Sequence, residues 1–213
     1  RPLDPIKEFA IENKISVIQP VHFRDKDTLH KLASYKADLM VMAFVNIFVP
    51  ELARNTPELG SICFHPSLLP LHRGPSAVNW PIIMGSEKSG FSWFYPTDGL
   101  DEGDVLLQWE CPIDENDTVI DLYFKKIYPT AVNSVLEVCD LFRSGNPPHR
   151  IQDESLATYE RRCTKKHALI DWNKPVNQVY NLIRGTNPAP GAWTRYKDTV
   201  VSIFDCEKAE GDG

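Results

Sequence analysis

Helical apolar periodicity alternating with short β-rich runs predicts an α/β protein on an open, doubly wound, mostly parallel sheet. Two further observations support this. Residues 39–44 are almost continuously apolar, as strands covered on both faces are. After residue 145 the pattern changes, and an aromatic, β-branched stretch over 192–204 signals a second, β-rich module.

The elements follow in order. Asp4-Pro5 reads as an N-cap with proline in the first turn, and Ile6, Phe9 and Ala10 give the helix an apolar face. Residues 15–18 form a β-rich run, 27–35 a helix, 39–44 a buried strand and 50–55 a short helix. A strand at 61–65 and a helix at 75–84 come next. Strands at 91–95 and 105–109 flank a turn-rich segment carrying Gly99 and Gly103. Residues 118–142 are helical by periodicity, and Pro129 should kink or break that helix. Asn173 can cap a last helix with Val176, Val179, Tyr180 and Ile183 on one face, ended by Gly185. The expected organisation is a catalytic domain over 1–145, a linker and short helix over 146–190, and over 191–213 the start of a β-rich domain. The chain starts on a helix and stops early in that domain, so it is expected to be a truncated piece.

Composition narrows the class. With 42% hydrophobic and 24% charged residues, the chain has the balance of a soluble globular protein. No run approaches the roughly 20 apolar residues of a membrane span, and no secretion signal opens the sequence. Five cysteines at wide, irregular spacing contain no Cys-x-x-Cys, which argues against zinc or thioredoxin-type sites and for reduced thiols in the cytoplasm. A net charge of −6 argues against a general nucleic-acid binder. The cluster Arg161, Arg162, Lys165 and Lys166 reads as a solvated face. No Gly-x-Gly-x-x-Gly follows a predicted strand, so a nicotinamide dehydrogenase finds little support.

Two segments carry the chemistry. His65 stands at the carboxyl end of a predicted buried strand, where open α/β sheets bind ligands. Asp98-Gly99-Leu100-Asp101-Glu102-Gly103-Asp104 is a carboxylate-dense turn between two strands of the same sheet. Either alone is as well explained by a structural role. Together they resemble the formyltransferases that use 10-formyltetrahydrofolate. His65-Pro66-Ser67-Leu68-Leu69-Pro70 followed by Arg73-Gly74 is similar to their His-x-Ser-Leu-Leu-Pro-x-x-Arg-Gly motif. Leu100-Asp101-Glu102-Gly103 is similar to their Leu-Asp-x-Gly loop. Within the family, Ser76-Ala77-Val78-Asn79-Trp80, Gly90-Phe91-Ser92, Ile183-Arg184-Gly185 and Pro190-Gly191-Ala192-Trp193-Thr194 most resemble the hydrolase domain of 10-formyltetrahydrofolate dehydrogenase, with methionyl-tRNA formyltransferase next.

The resemblance implies a Rossmann-like domain followed by a small OB-like one, 10-formyltetrahydrofolate as formyl donor and no metal. It implies His65 as a donor to the developing oxyanion, and Asp101 as the group that orients it or takes the nucleophile's proton. Cys63 stands where the family's transferases usually carry asparagine; the hydrolase-type domains lack it too, and a thiol is a weak donor. Ala43, Phe44, Asn46, Val49, Asp98, Gly99 and Leu100 fall where the family holds the folate, though Asn46 reads equally as a turn residue. Ser67, Leu69, Pro70, Arg73 and Gly74 form the motif loop. Ser67 is expected to hydrogen-bond the backbone, and Arg73 either neutralises a ligand anion or braces the loop. The other histidines, His22, His30, His72, His149 and His167, show no partner in the sequence and read as surface or packing residues. The expected acceptor is water or an amine, on a small molecule or on methionyl-tRNA, and no membrane partner is expected. The alternative is a folate-binding module that has lost catalysis.

Overall fold

The structure, a computed structural model, describes residues 4–45 and 47–209. A four-stranded sheet runs in the order β1 (Met40–Met42), β2 (Ser61–His65), β3 (Lys88–Phe94) and β4 (Val105–Pro112). Met40–Met42 lies parallel to Ser61–Cys63, whereas β2–β3 and β3–β4 are antiparallel. The α/β, Rossmann-like class holds on a mixed sheet. Residues 95–104 between β3 and β4 are too few for the dozen or so that a parallel crossover needs.

β2 is covered on both faces, and its side chains alternate between two layers. Ile62 and Phe64 join Phe91, Trp93 and Leu106 on one face. That layer packs on Leu122 and Ile127 of a π-helical segment (Asp121–Ile127) and on Ala131 and Val138 of α5 (Tyr128–Arg143). Each large apolar side chain buried there contributes roughly 1.5–3 kcal/mol. Trp93 loses nothing by its burial, because its Nε1–H donates to Ser134 Oγ at 2.8 Å. On the other face, Cys63 packs beside Met42, Val49 and Ala53, and beside Leu69, Phe94 and Val105.

The helices largely follow their sequence signals. Asp4 Oδ1 accepts from the N–H groups of Ile6 and Lys7 and caps α1 (Pro5–Glu12). α2 (Lys26–Ser34) and the short α3 (Glu51–Arg54) flank β1. Only the last part of the stretch at 75–84 is helical, as α4 (Asn79–Met84). Pro129 has no N–H for the Lys125 carbonyl and its ring would crowd it, so the helix widens ahead of it. Tyr128 N–H donates five residues back, to Tyr123 O.

Three expectations fail. Residues 39–44 are not a strand covered on both faces: the strand is Met40–Met42, at the edge of the sheet, with Val41 exposed. Residues 15–18 form no strand: Ile15 and Val17 are exposed, and no described segment pairs with them. The cap of α6 (Val176–Gly185) is Pro175, while Asn173 is turned back into a bend by Asp171 Oδ1. Gly185 has a packing role as well, since a Cβ there would stand 2.7 Å from Ile83 Cγ1 on α4. Beyond it, β5 (Ala192–Tyr196) and β6 (Thr199–Ile203) form the antiparallel hairpin of the β-rich module. Among the described residues no helix is long and apolar enough to cross a membrane.

Residues 150–160, within the expected linker, run back along the first module. Arg150 bridges Val105, and Tyr159 bridges Arg73.

Candidate active site

β2 delivers His65 to its carboxyl end, opposite Ser92 of β3, with the side chain almost wholly buried. His65 Nε2 lies 2.8 Å from the carbonyl oxygen of His72. A carbonyl only accepts, so Nε2 must carry a hydrogen, and Nδ1 is left for chemistry. Nδ1 lies 3.5 Å from Asp101 Oδ2, near enough for an ion pair and long for a hydrogen bond. The same Oδ2 accepts the N–H of Gly74 at 2.8 Å, which ties the two motif segments together. Gly74 has φ +95, and a Cβ there would stand 3.0 Å from Glu160 O, so the backbone approach depends on glycine. Asp101 itself sits at φ +54, a conformation acidic side chains tolerate better than most.

The loop between them is held from inside. Ser67 Oγ donates to Leu71 O at 2.6 Å, as its position in the motif suggests. Leu69 N–H donates to Ser92 Oγ, which donates in turn to Ser67 O. Leu69 is a core residue, and Pro70 O accepts from Thr158 N–H. Arg73 is fully buried and braces the loop. Its guanidinium meets both carboxylate oxygens of Glu154, at 3.0 and 2.5 Å, together with Gln152 Oε1 and Tyr159 OH.

Two cavities meet at this point. The smaller, about 220 Å³, lies between Met42, Val45 and residues 47–49 on one side and residues 96–101 on the other, and includes Val49, Asp98, Gly99 and Leu100. The larger, about 720 Å³, includes Phe44, His65, Gly74, Asn79 and Arg162. Val45, Cys63, Leu100 and Asp101 border both. Ala43 is exposed and lines neither, and Asn46 lies outside the described residues.

Burial, and secondarily the Asp101 carboxylate, pushes the Cys63 thiol up to about 12. Such a thiol is protonated at neutral pH and unsuited to nucleophilic attack. Iodoacetamide at pH 8 is therefore expected to leave Cys63 unmodified while more exposed thiols react, as read by peptide mass spectrometry. Rapid labelling of Cys63 would show that this description of its surroundings is wrong.

Four residues here were not singled out as site residues from sequence. The Arg54 guanidinium, though buried, donates to Val49 O and Asp98 Oδ1, both at 2.7 Å, and so joins the two walls of the smaller cavity. Gln152 Nε2 donates to Asp101 O at 2.9 Å and Gly103 O at 2.6 Å. His72 places Nδ1 3.3 Å from Glu160 Oε1, both side chains being about one-tenth exposed. An arginine in a short apolar helix was the one available hint for Arg54; Gln152 and Glu160 offered none. Among the described residues no group of three or more potential ligand side chains gathers to hold a metal.

Comparison with known proteins returns one family in both parts of the chain. A model described as formyl transferase matches residues 2–132, and one for the formyl transferase C-terminal domain matches 162–213. The chain is 43% identical over 179 residues to the cytosolic 10-formyltetrahydrofolate dehydrogenase of Mus musculus, covering 84% of this chain and 20% of that protein. It is 37% identical over 202 residues to the methionyl-tRNA formyltransferase of Clostridioides difficile, covering 95% of this chain and 65% of the relative. It therefore spans less than two thirds of either relative's length. A sugar N-formyltransferase from Shewanella superposes with a TM-score of 0.75 at 18% identity, over 95% of this chain and 81% of that one, which shows a shared fold.

Proposed function

This chain belongs to the formyl transferase family, and we propose that it removes the formyl group of 10-formyltetrahydrofolate with His65 and Asp101 as its working pair. One observation carries the reading: the end of β2 and the turn between β3 and β4 bring Asp101 Oδ2 to 3.5 Å from His65 Nδ1 where two cavities join. The pterin ring enters the smaller cavity, between Val45, Ile47, Phe48 and Val49 on one side and Asp98–Gly99–Leu100 on the other. The rest of the folate and the acceptor occupy the larger one.

The chemistry then needs little else. A nucleophile, water or an amine, adds to the formyl carbon, and its proton passes to the Asp101 carboxylate. The tetrahedral oxyanion is met by Nδ1–H of an imidazolium whose Nε2–H is already committed to His72 O. Collapse breaks the bond between the carbon and N10, and the proton held by Asp101 passes to N10 as tetrahydrofolate leaves, which restores the carboxylate. Cys63 adds little to this polarisation, because its thiol makes only a 3.8 Å contact with the neighbouring Phe64 carbonyl. That is one reason to put water first among acceptors; the local likeness to the dehydrogenase's hydrolase domain is the other. The five thiols are free and suit a reducing compartment such as the cytosol.

The test is tetrahydrofolate release by the full-length protein, first without acceptor and then with a panel of amines including charged methionyl-tRNA. Release without acceptor is expected. Release only with one amine would keep the formyl chemistry and replace water by that acceptor. Tight folate binding with no release in any arm would overturn the reading in favour of a binding module.

A further inference from the structure

Among the described residues the hydrogen bond that orients the His65 ring is the one to the His72 carbonyl, so what holds that carbonyl also holds the catalytic nitrogen. His72 sits at φ +58, in the left-handed region that histidine, like aspartate, enters more readily than most side chains. The anchors that hold this peptide come from one short stretch. His72 N–H donates to Thr158 Oγ1 at 2.8 Å. The next peptide is clamped from the same side, with Arg73 N–H on Thr158 O at 3.0 Å and Arg73 O on Glu160 N–H at 3.3 Å. The imidazole of His72 faces the Glu160 carboxylate at 3.3 Å. His72 Nδ1 and Glu160 Oε2 are buried and make no hydrogen bond among the described residues, so what faces His72 Nδ1 is Glu160 Oε1, as an ion-pair contact.

We propose that Thr158 and Glu160 are positioning residues for formyl transfer, acting on His65 through His72. The proposal rests on the reading that His65 does the chemistry. Asp101 hangs from the same strap, through Gln152 on its carbonyl. Residues 152–160 thus act on the separation of the working pair from both sides, alongside the Gly74 N–H on Asp101 Oδ2. A displacement of about 1 Å at a reacting group can cost 10²-fold, so small slippage of this strap should be visible in turnover.

The experiment uses the full-length protein, labelled with ¹⁵N-histidine, and three variants. Glu160→Gln removes the charge at constant shape. Thr158→Val removes the hydroxyl, and Thr158→Ser keeps it. Glu160→Gln and Thr158→Val are each expected to lower kcat by about 10-fold or more, with KM for 10-formyltetrahydrofolate within about twofold. In both, the His65 Nε2–H resonance (assigned with His65→Asn) should shift or broaden by exchange. Thr158→Ser should restore both kcat and the resonance. The proposal is overturned if the resonance is unmoved in the two loss variants, or if kcat and KM change together in step with a lost melting temperature. It is likewise overturned if Thr158→Ser behaves like Thr158→Val. Because the proton signal needs no turnover, failure of the functional reading is told apart: the wild type then releases nothing, whatever the resonance does.

Discussion

Asp101→Asn in the full-length protein is expected to lower kcat for formyl release by about 10²–10⁴-fold, the range lost with a positioned proton acceptor. The exchange is nearly isosteric, and the amide oxygen can still take the Gly74 N–H that Oδ2 accepts at 2.8 Å. Loop geometry should therefore survive while the charge facing His65 Nδ1 disappears. His65→Asn removes the donor to the oxyanion and should cost about 2.7–4 kcal/mol of transition-state stabilisation, again roughly 10²–10³-fold. The two groups serve one proton inventory, so the double variant should be little worse than the worse single one. Folate affinity, measured by calorimetry, should move far less than kcat in any of them, since His65 lines the larger cavity and Asp101 stands where the two cavities join. Two single variants that both turn over within about threefold of wild type would remove the pair from the mechanism.

How much of this could be read in advance depends on whether a signal was local. β2 was legible to the residue because Ile62, Cys63 and Phe64 form a continuous apolar run bounded by Gly60 and Pro66. The position of His65 at its end followed from that. Strand direction was less legible, because it depends on the connection: the short turn that revealed β3 and β4 as neighbours also makes them antiparallel. Residues 15–18 show the opposite failure, β propensity with no neighbour to pair with, and propensity alone does not make a strand. The supports of the site were the least legible part. Arg54 meets Asp98 44 positions away, and Gln152 meets Asp101 51 positions away. Single polar residues at such distances carry no periodicity, and only the folded chain brings them together. The resemblance joined His65 to Asp101 but was silent on His72, which the structure places at the hinge of the arrangement.

Arg73→Met is expected to destabilise the protein by about 3–5 kcal/mol, on the order of 10 °C in Tm for a chain of this size. Two arguments compete here. A buried ion pair can often be replaced by apolar side chains at no cost, because desolvation consumes the Coulombic gain. That requires both partners to be replaced, and here the partners differ. The Arg73 side chain is wholly buried while the Glu154 side chain is 65% exposed, so the screened attraction between them decides little. The weight falls on the uncharged partners. Without the guanidinium, Gln152 Oε1 loses both of its donors inside the protein, a desolvation cost of about 1–3 kcal/mol, and the charge-assisted bonds themselves are lost as well. Glu154→Ala is the informative contrast, since it leaves Arg73 on Gln152 and Tyr159 and should cost clearly less. Arg73 holds the Glu154 carboxyl below its ordinary range. The Glu154 contribution is therefore complete above the unfolded carboxylate range and fades as pH falls through the depressed value, so wild type and Glu154→Ala should converge in acid while Arg73→Met stays apart. Urea unfolding followed by circular dichroism at pH 7 and pH 4 decides it. An Arg73→Met protein within about 1 kcal/mol of wild type at pH 7 would mean that the motif arginine braces nothing.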